Sequence, residues 1–336
     1  MRASSRQDND TENVSYGAHQ VVCAVDSAMS YALSVLLSSL AATRHMPFHL
    51  TIGYLDDALQ QGDQAFLRAV CKELQIQVEF LPLTARQSFI SQGHISPTTF
   101  AKFLLADAIE GEHLWLDADT VSLPGWDAIF PTIFSASPKE GLVVAARGNS
   151  SLGRGLRTSS LAFNAGILGF PKGTRRDWEN PLASLDMVDT QEQFLFNQLY
   201  AHSAVMVSEK FNLLTYRIDS LDPDDMPYII HYAGAHKPWH LRRDLSQSCM
   251  DYRCPWSAWF AAEERLFDRL RNTSLVSELK SRQDRALRTG TVKLRRDHSG
   301  YNFLRLLTAL GPLAPIVVNL LSLLKQWIPR GTHPIH

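Results

Sequence analysis

This sequence predicts an α/β fold built on a largely parallel sheet, and two observations carry the prediction. Apolar runs of strand length alternate four times with amphipathic stretches of helix length between residues 19 and 119. The 336 residues are 45% apolar and 20% charged, ordinary values for a globular chain with room for one large or two medium cores.

The elements follow in order. Residues 1–15 are polar, rich in Asp, Asn and Ser, and read as a disordered tail. "HQVVCAVD" is a strand that stops at Asp26, and "YALSVLLSSLAATR" follows with helical spacing. "FHLTIGYLDD" is a second strand, "GDQAFLRAVCKELQ" a second helix and "IQVEFLPL" a third strand. "SPTTFAKFLLADAI" begins a helix, with Ser96 as N-cap and Pro97 in the first turn. "HLWLDAD" is the next strand. Two further strands, "GLVVAAR" and "SLAFNAGILGF", flank a Gly/Ser/Arg loop at 148–160 that is expected to fold over a ligand as a lid. "TQEQFLFNQLY" reads as a helix, "PYIIHYAGAHKPW" as a strand running into a tight loop, and 258–288 as a charged helical stretch.

Charge is unevenly spread. The chain as a whole carries −1, but residues 265–336 hold 13 Lys/Arg against 4 Asp/Glu, and residues 1–264 hold 20 against 30. A basic tail on an acidic body suits an anionic membrane surface or a nucleic acid. The tail also has 19 uncharged residues between Arg305 and Lys325, interrupted by Gly311, Pro312, Pro315 and Asn319. That composition favours an interfacial segment or helical hairpin over one straight span. A core or dimer-packing element is the other reading. Membrane attachment is expected, and nucleic acid binding is not. The four cysteines (Cys23, Cys71, Cys249 and Cys254) form no Cys-x-x-Cys pair and read as free thiols in a reducing compartment. The N-terminus lacks the apolar stretch of a signal peptide, so secretion by that route is not expected.

Two segments carry the chemistry. In a strand, Asp117 and Asp119 project to one side, with Ala118 opposite. Paired carboxylates at a strand end suit a divalent cation, Mg²⁺ or Mn²⁺, although a solvated turn has the same composition. In "HYAGAHKPWH", His231 can act as a third ligand. Gly234 lets a phosphate approach the backbone, and Lys237 supplies a countercharge. Alone, His231 would read as a structural histidine and Lys237 as a surface lysine.

Four segments in order, "HISPTTFAKFLLADAI" leading into "WLDADT", "FNAGILGF", "TQEQFLFNQLY" and "IIHYAGAHKPWH", resemble the retaining glycosyltransferases of family 8. Within that family the chain is similar to the bacterial lipopolysaccharide galactosyl- and glucosyltransferases. The resemblance covers roughly residues 18–245. It implies a nucleotide-sugar-binding α/β fold of the GT-A type, with a catalytic domain over 16–245. A charged helical extension over 246–298 and a membrane-associating segment over 299–330 follow from composition.

The resemblance further implies Mn²⁺, or Mg²⁺, as cofactor and a nucleotide diphosphate sugar, UDP-glucose or UDP-galactose, as hexose donor. Lipopolysaccharide or another cell-surface glycan would be the acceptor, at the inner face of the cytoplasmic membrane. On the matching positions, Asp117, Asp119 and His231 are the metal ligands, and Gly234 and Lys237 the diphosphate contacts. Asp26 reaches the uracil or ribose, and Asn164 and Ala165 contact the donor sugar. Gln193 lies near the anomeric centre, with Glu192 at the preceding carboxylate position; Gln193, Glu192 and Lys237 are thus the candidate catalytic groups. The chain departs from the family pattern at Ala28 and Met29, where Asn and Tyr are frequent. Lys102 replaces an Arg expected at the donor, and Phe194 a carboxylate. A metal-dependent nucleotide-sugar hydrolase and a non-catalytic nucleotide-sugar-binding protein are the competing readings.

Overall fold

A computed structural model describes residues 19–86, 89, 96–137, 142–144, 162–174, 192–215, 226–234, 237–240 and 256–296, and isolated residues 313, 316, 317 and 320. The tail 1–15, the 148–160 loop, Cys249, Cys254 and most of 299–330 lie outside these residues.

The strands are β1 (His19–Ala24), β2 (Phe48–Leu55), β3 (Gln77–Leu83), β4 (His113–Leu116), β5 (Thr120–Ser122), β6 (Val143–Val144), β7 (Ile167–Phe170), β8 (Val205–Met206), β9 (Leu213–Leu214) and β10 (Ile229–His231). The helices are α1 (Ser30–Thr43), α2 (Gln61–Glu73), α3 (Ala101–Ala108), α4 (Phe130–Ser135), α5 (Glu192–Tyr200), α6 (Trp256–Leu270) and α7 (Leu275–Arg296). Seven strands form one sheet in the order β3-β2-β1-β4-β7-β6-β8. β3, β2, β1 and β4 are mutually parallel, β7 runs antiparallel to both β4 and β6, and β8 is parallel to β6. The expected mixed, mainly parallel sheet flanked by helices is therefore present. A three-stranded sheet, β5-β10-β9, stands beside it.

The strand order places the site. From β1 the chain steps outward to β2 and β3, then returns to β4 on the other side of β1. Ligands of open α/β sheets bind beyond the carboxyl ends of strands at such a reversal. Asp26 follows β1 there, and Asp117 follows β4.

Both sheet faces are covered, and the strands alternate between two cores. Val21, Cys23, Leu114 and Leu116 face the core under α1, α2 and α6, while Val22 and Trp115 face the one containing α3 and α5 residues. α1 is buried from Ser30 to Leu40, and its serines are satisfied locally: Ser34 donates to Tyr31 O at 2.7 Å and Ser39 to Leu36 O at 2.7 Å. Cys23 and Cys71 are buried free thiols. Burial pushes both well up, Cys71 to about 12, so neither is a reactive thiolate.

The charged stretch 258–288 resolves into two helices. Thr273 makes the break: its hydroxyl donates to Leu270 O at 2.8 Å, closing α6, and accepts from Leu275 N at 3.2 Å, opening α7. α6 buries Trp256, Trp259, Leu266 and Leu270 in the main core. Trp259 packs between Trp239, tilted with ring centroids 4.7 Å apart, and Tyr232, edge-on with centroids 5.6 Å apart. Burying side chains of this size stabilises by about 1.5–3 kcal/mol each, so α6 belongs to the same packed body as β10. Among the described residues no helix is long and apolar enough to cross a membrane.

Candidate active site

β4 ends at Leu116, earlier than the alternating pattern suggests, and Asp117–Asp119 form the turn into β5. Asp117 N–H still donates to Gly166 O at 2.8 Å, so the pairing with the β7 side continues one step further. Thr120 Oγ1 donates to Asp117 O at 2.8 Å and closes the turn. β5 and β10 pair antiparallel with Thr120 opposite His231, and Tyr232 N–H donates to Asp119 O at 2.9 Å. This pairing carries His231 to the two aspartates from more than a hundred residues away.

His231 Nε2 lies 3.3 Å from Asp119 Oδ1 and 3.9 Å from Asp117 Oδ2. One ligand atom from each of the three lies within 4.8 Å of the others. The protonation of His231 follows from backbone donors whose polarity is fixed. Gly166 N–H donates to Asn164 Oδ1 at 2.9 Å, so that oxygen is an acceptor. It accepts again from Asn212 Nδ2 at 3.1 Å, which orients the Asn212 amide. Asn212 Oδ1 then sits 3.1 Å from His231 Nδ1, so Nδ1 must carry a proton. In the neutral ring Nε2 keeps its lone pair and points it at two carboxylates. Three electron-pair donors facing one another call for a cation between them, and the mixed oxygen and nitrogen set fits a divalent one.

Two lysines balance the carboxylates. The ammonium of Lys237 bonds Asp119 Oδ2 and donates to Tyr232 O at 2.7 Å. Lys102 has a fully buried side chain, with Nζ 3.1 Å from Asp117 Oδ1 and 3.1 Å from Glu192 Oε1. Trp115 Nε1 also donates to Asp117 Oδ1, at 2.8 Å. Burial pushes the Asp117 carboxyl up; Lys102 pulls it back, Asp119 adds repulsion, and the net shift is upward. Burial pushes Asp119 up as well, but the Lys237 ammonium, the largest opposing influence, helps hold that carboxyl well below the usual range.

The sequence-derived residues fall into two connected groups. Asp117, Asp119, His231, Lys237, Lys102 and Glu192 are linked by ion pairs. Gln193 Oε1 accepts from Asn164 Nδ2 at 3.0 Å and Ala165 N at 3.2 Å, which joins Asn164, Ala165 and Gln193 to the chain through Asn212. Lys102 touches Asp117 and Glu192 rather than open cleft, so it can act on a donor only through them. Asp26 lies at the end of β1, but its oxygens already accept from Met29 N at 3.1 Å and Ser96 Oγ at 3.1 Å. Gly234 has φ +99 and open space where a Cβ would stand, which suits close approach of a ligand.

Three contributors escaped the sequence reading. Trp115 precedes Asp117 by one strand period and was legible by alternation. Asn212 carried no signal, because a lone Asn reads as a turn residue. Gly166 faces the His231 ring so closely that a Cβ there would sit 2.2 Å from Cε1 and 2.6 Å from Nδ1. No residue with a side chain fits at 166 unless His231 moves off its place.

No protein-family model matches the chain. In sequence it is similar to the glycosyltransferase GlyA of Streptococcus pneumoniae serotype 4, 28% identical over 195 residues, which is 53% of this chain and 25% of GlyA. The chain thus spans about a quarter of the length of that curated relative. Among solved structures, an active-site mutant of LgtC superposes with a TM-score of 0.56 at 19% identity, over 73% of this chain and 95% of LgtC. The galactosyltransferase LgtC in complex with donor and acceptor sugar analogs gives 0.55 at 19%, over 74% and 95%. The apo form of the glycosyltransferase GlyE of Streptococcus pneumoniae TIGR4 gives 0.51 at 19%, over 81% and 64%. The chain is related to a glycosyltransferase in sequence and shares the GT-A fold of these enzymes.

Proposed function

We propose that this chain is a retaining glycosyltransferase of the family 8 type, which moves a hexose from a nucleotide diphosphate sugar to a saccharide acceptor. The observation that carries the reading is the convergence of Asp117, Asp119 and the His231 Nε2 lone pair at the sheet reversal, with Lys237 beside them. Mn²⁺ or Mg²⁺ held by those three residues would neutralise the diphosphate as it leaves. Lys237 then exchanges its bond to Asp119 for one to phosphate oxygen, and Gly234 leaves the backbone open to it. LgtC, which has this fold, was solved with donor and acceptor sugar analogs, and that supports a nucleotide-sugar donor and a saccharide acceptor.

Glu192 is a poor nucleophile in this setting. It is buried and its carboxylate is paired with Lys102. The Gln193 amide oxygen is occupied by Asn164 and Ala165. The acceptor hydroxyl therefore attacks the anomeric carbon from the face that the diphosphate leaves. Its proton passes to the departing phosphate oxygen, giving a glycoside and a free nucleoside diphosphate. The test is a Mn²⁺-dependent thermal-shift panel of nucleotide sugars, followed by transfer assays on lipopolysaccharide acceptors and intact-mass analysis. Stabilisation by a UDP-hexose, acceptor-dependent UDP release and no glycosyl–Glu192 adduct are expected. Sugar release that ignores the acceptor would make the chain a hydrolase instead, and a trapped adduct would overturn the single-step route.

The basic, apolar tail supports a peripheral position on the inner face of the cytoplasmic membrane, where a glycolipid acceptor is presented. Leu313, Ile316 and Leu320 are each more than half exposed and recur at helical spacing. With Arg305 and Lys325 on either side, they suit an anionic bilayer surface. Deleting residues 299–336 is expected to move the protein from vesicles containing anionic lipid into the supernatant on flotation. Equal flotation with and without the segment would remove this role.

A further inference from the structure

We infer that α7 forms one wall of the donor site and that its Arg285 pairs with the phosphates of a nucleoside diphosphate. The inference rests on the donor reading above and adds a residue outside the strand–helix core. A cavity of about 160 Å³ is bordered by residues 27–31 after β1, by Gly234 and by Lys237, whose ammonium bonds Asp119 of the metal trio. Its far side is α7. Arg282, Arg285, Ala286 and Thr289 line it at intervals of three and four, so one face of the helix looks into it.

The position of α7 is fixed firmly enough for that face to act as part of a site. The Arg282 guanidinium is buried, bonded to Asp63 and Glu278, and donates to Ser30 Oγ at 2.9 Å. It also lies 4.1 Å over the Phe66 ring. The charge of Arg282 is thereby neutralised. Its buried Nε–H, however, has no acceptor among the described residues. Arg285, one turn further on, is exposed and has no carboxylate partner among the described residues. Among the described residues no acidic side chain lines the cavity. Lys237 is paired with Asp119, so Arg285 is the charge that leaves it net positive, which suits a compact polyanion.

The location identifies that anion as the nucleotide rather than the glycolipid. Lys237 borders the cavity and bonds Asp119, so a phosphate beside Lys237 also reaches the metal trio. At the other end, Ala28 and Met29 offer no side-chain hydrogen bond to a ligand. α7 supplies the charged contact that this rim lacks.

Calorimetric titration of UDP in the presence of Mn²⁺ tests the assignment on the wild type, Arg285→Ala and Arg285→Lys. Arg285→Ala is expected to weaken UDP binding about tenfold, the usual size of one lost charge-assisted hydrogen bond, and Arg285→Lys to recover part of that. Wild-type affinity in Arg285→Ala overturns the inference and leaves the donor reading intact. Absence of UDP binding to the folded wild type overturns both.

Discussion

Asp119→Asn is expected to lower transfer by about 100-fold or more, because it removes charge at the point where the leaving diphosphate must be neutralised. Asp119 offers one oxygen toward His231 Nε2 at 3.3 Å and the other to Lys237. An amide presents a neutral oxygen and, on its other side, two N–H donors that repel a cation. The trio would fall from two carboxylates to one, and Mn²⁺ affinity would fall with it. The fold should persist. The turn is held by the Asp119 carbonyl, which accepts from Tyr232 N, and by Thr120, neither of which depends on the carboxylate. The lost ion pair with Lys237 is offset in part because the repulsion that Asp119 exerts on Asp117 disappears. The measurement is thermal unfolding with and without Mn²⁺ and UDP. Ligand at 100 times its Kd stabilises by about 2.7 kcal/mol, so the wild type should shift upward and the variant should not. Full transfer by Asp119→Asn would remove these residues from the reaction.

Much of this site is legible in the chain because its physics is local. The period of two in "HLWLDAD" puts Trp115, Asp117 and Asp119 on one side, and Ser96 and Pro97 mark where the preceding helix starts. The interruption of β4 at Leu116 was not legible. It results from β5 leaving the main sheet to pair with β10, a contact made across more than a hundred residues. For the same reason the antiparallel insertion of β7 between β4 and β6 left no mark on its own sequence. Gly166 read as one more glycine in a strand, and its meaning appears only when the His231 ring is set against it. The helical pattern of α6 and α7 reveals an apolar face but not its partner, so they read as an extension. In the structure Trp259 and Arg282 dock them onto the core. Chemistry that repeats along the chain can be read there, while chemistry assembled by topology has to be seen.

Lys102→Met carries the largest expected cost in stability. Lys102 lies between Asp117 and Glu192, 3.1 Å from each, and its side chain has no exposed surface. Burial pushes its ammonium down, but the two carboxylates more than compensate and hold it above its ordinary value. Methionine matches its length and removes its charge. Two largely buried carboxylates then lose their shared cation, with the Trp115 N–H still bonded to Asp117, and breaking a buried pair in this way costs about 3–5 kcal/mol. The dependence on pH identifies the cause. The Asp117 carboxyl is already raised with Lys102 present, and Lys102 is the strongest influence holding it down. In the variant it rises further, so the folded state binds protons that the unfolded state releases. Its stability must then fall as pH rises. Urea unfolding should show a large deficit at pH 8 that narrows towards pH 5, where protonation relieves the repulsion. Lys102→Arg keeps the charge and should lose less, about 1–3 kcal/mol, through crowding in a packed site. A methionine variant that is as stable as the wild type at pH 8 would mean that the ion-pair chain from Asp117 to Glu192 is not what holds the carboxylates in place.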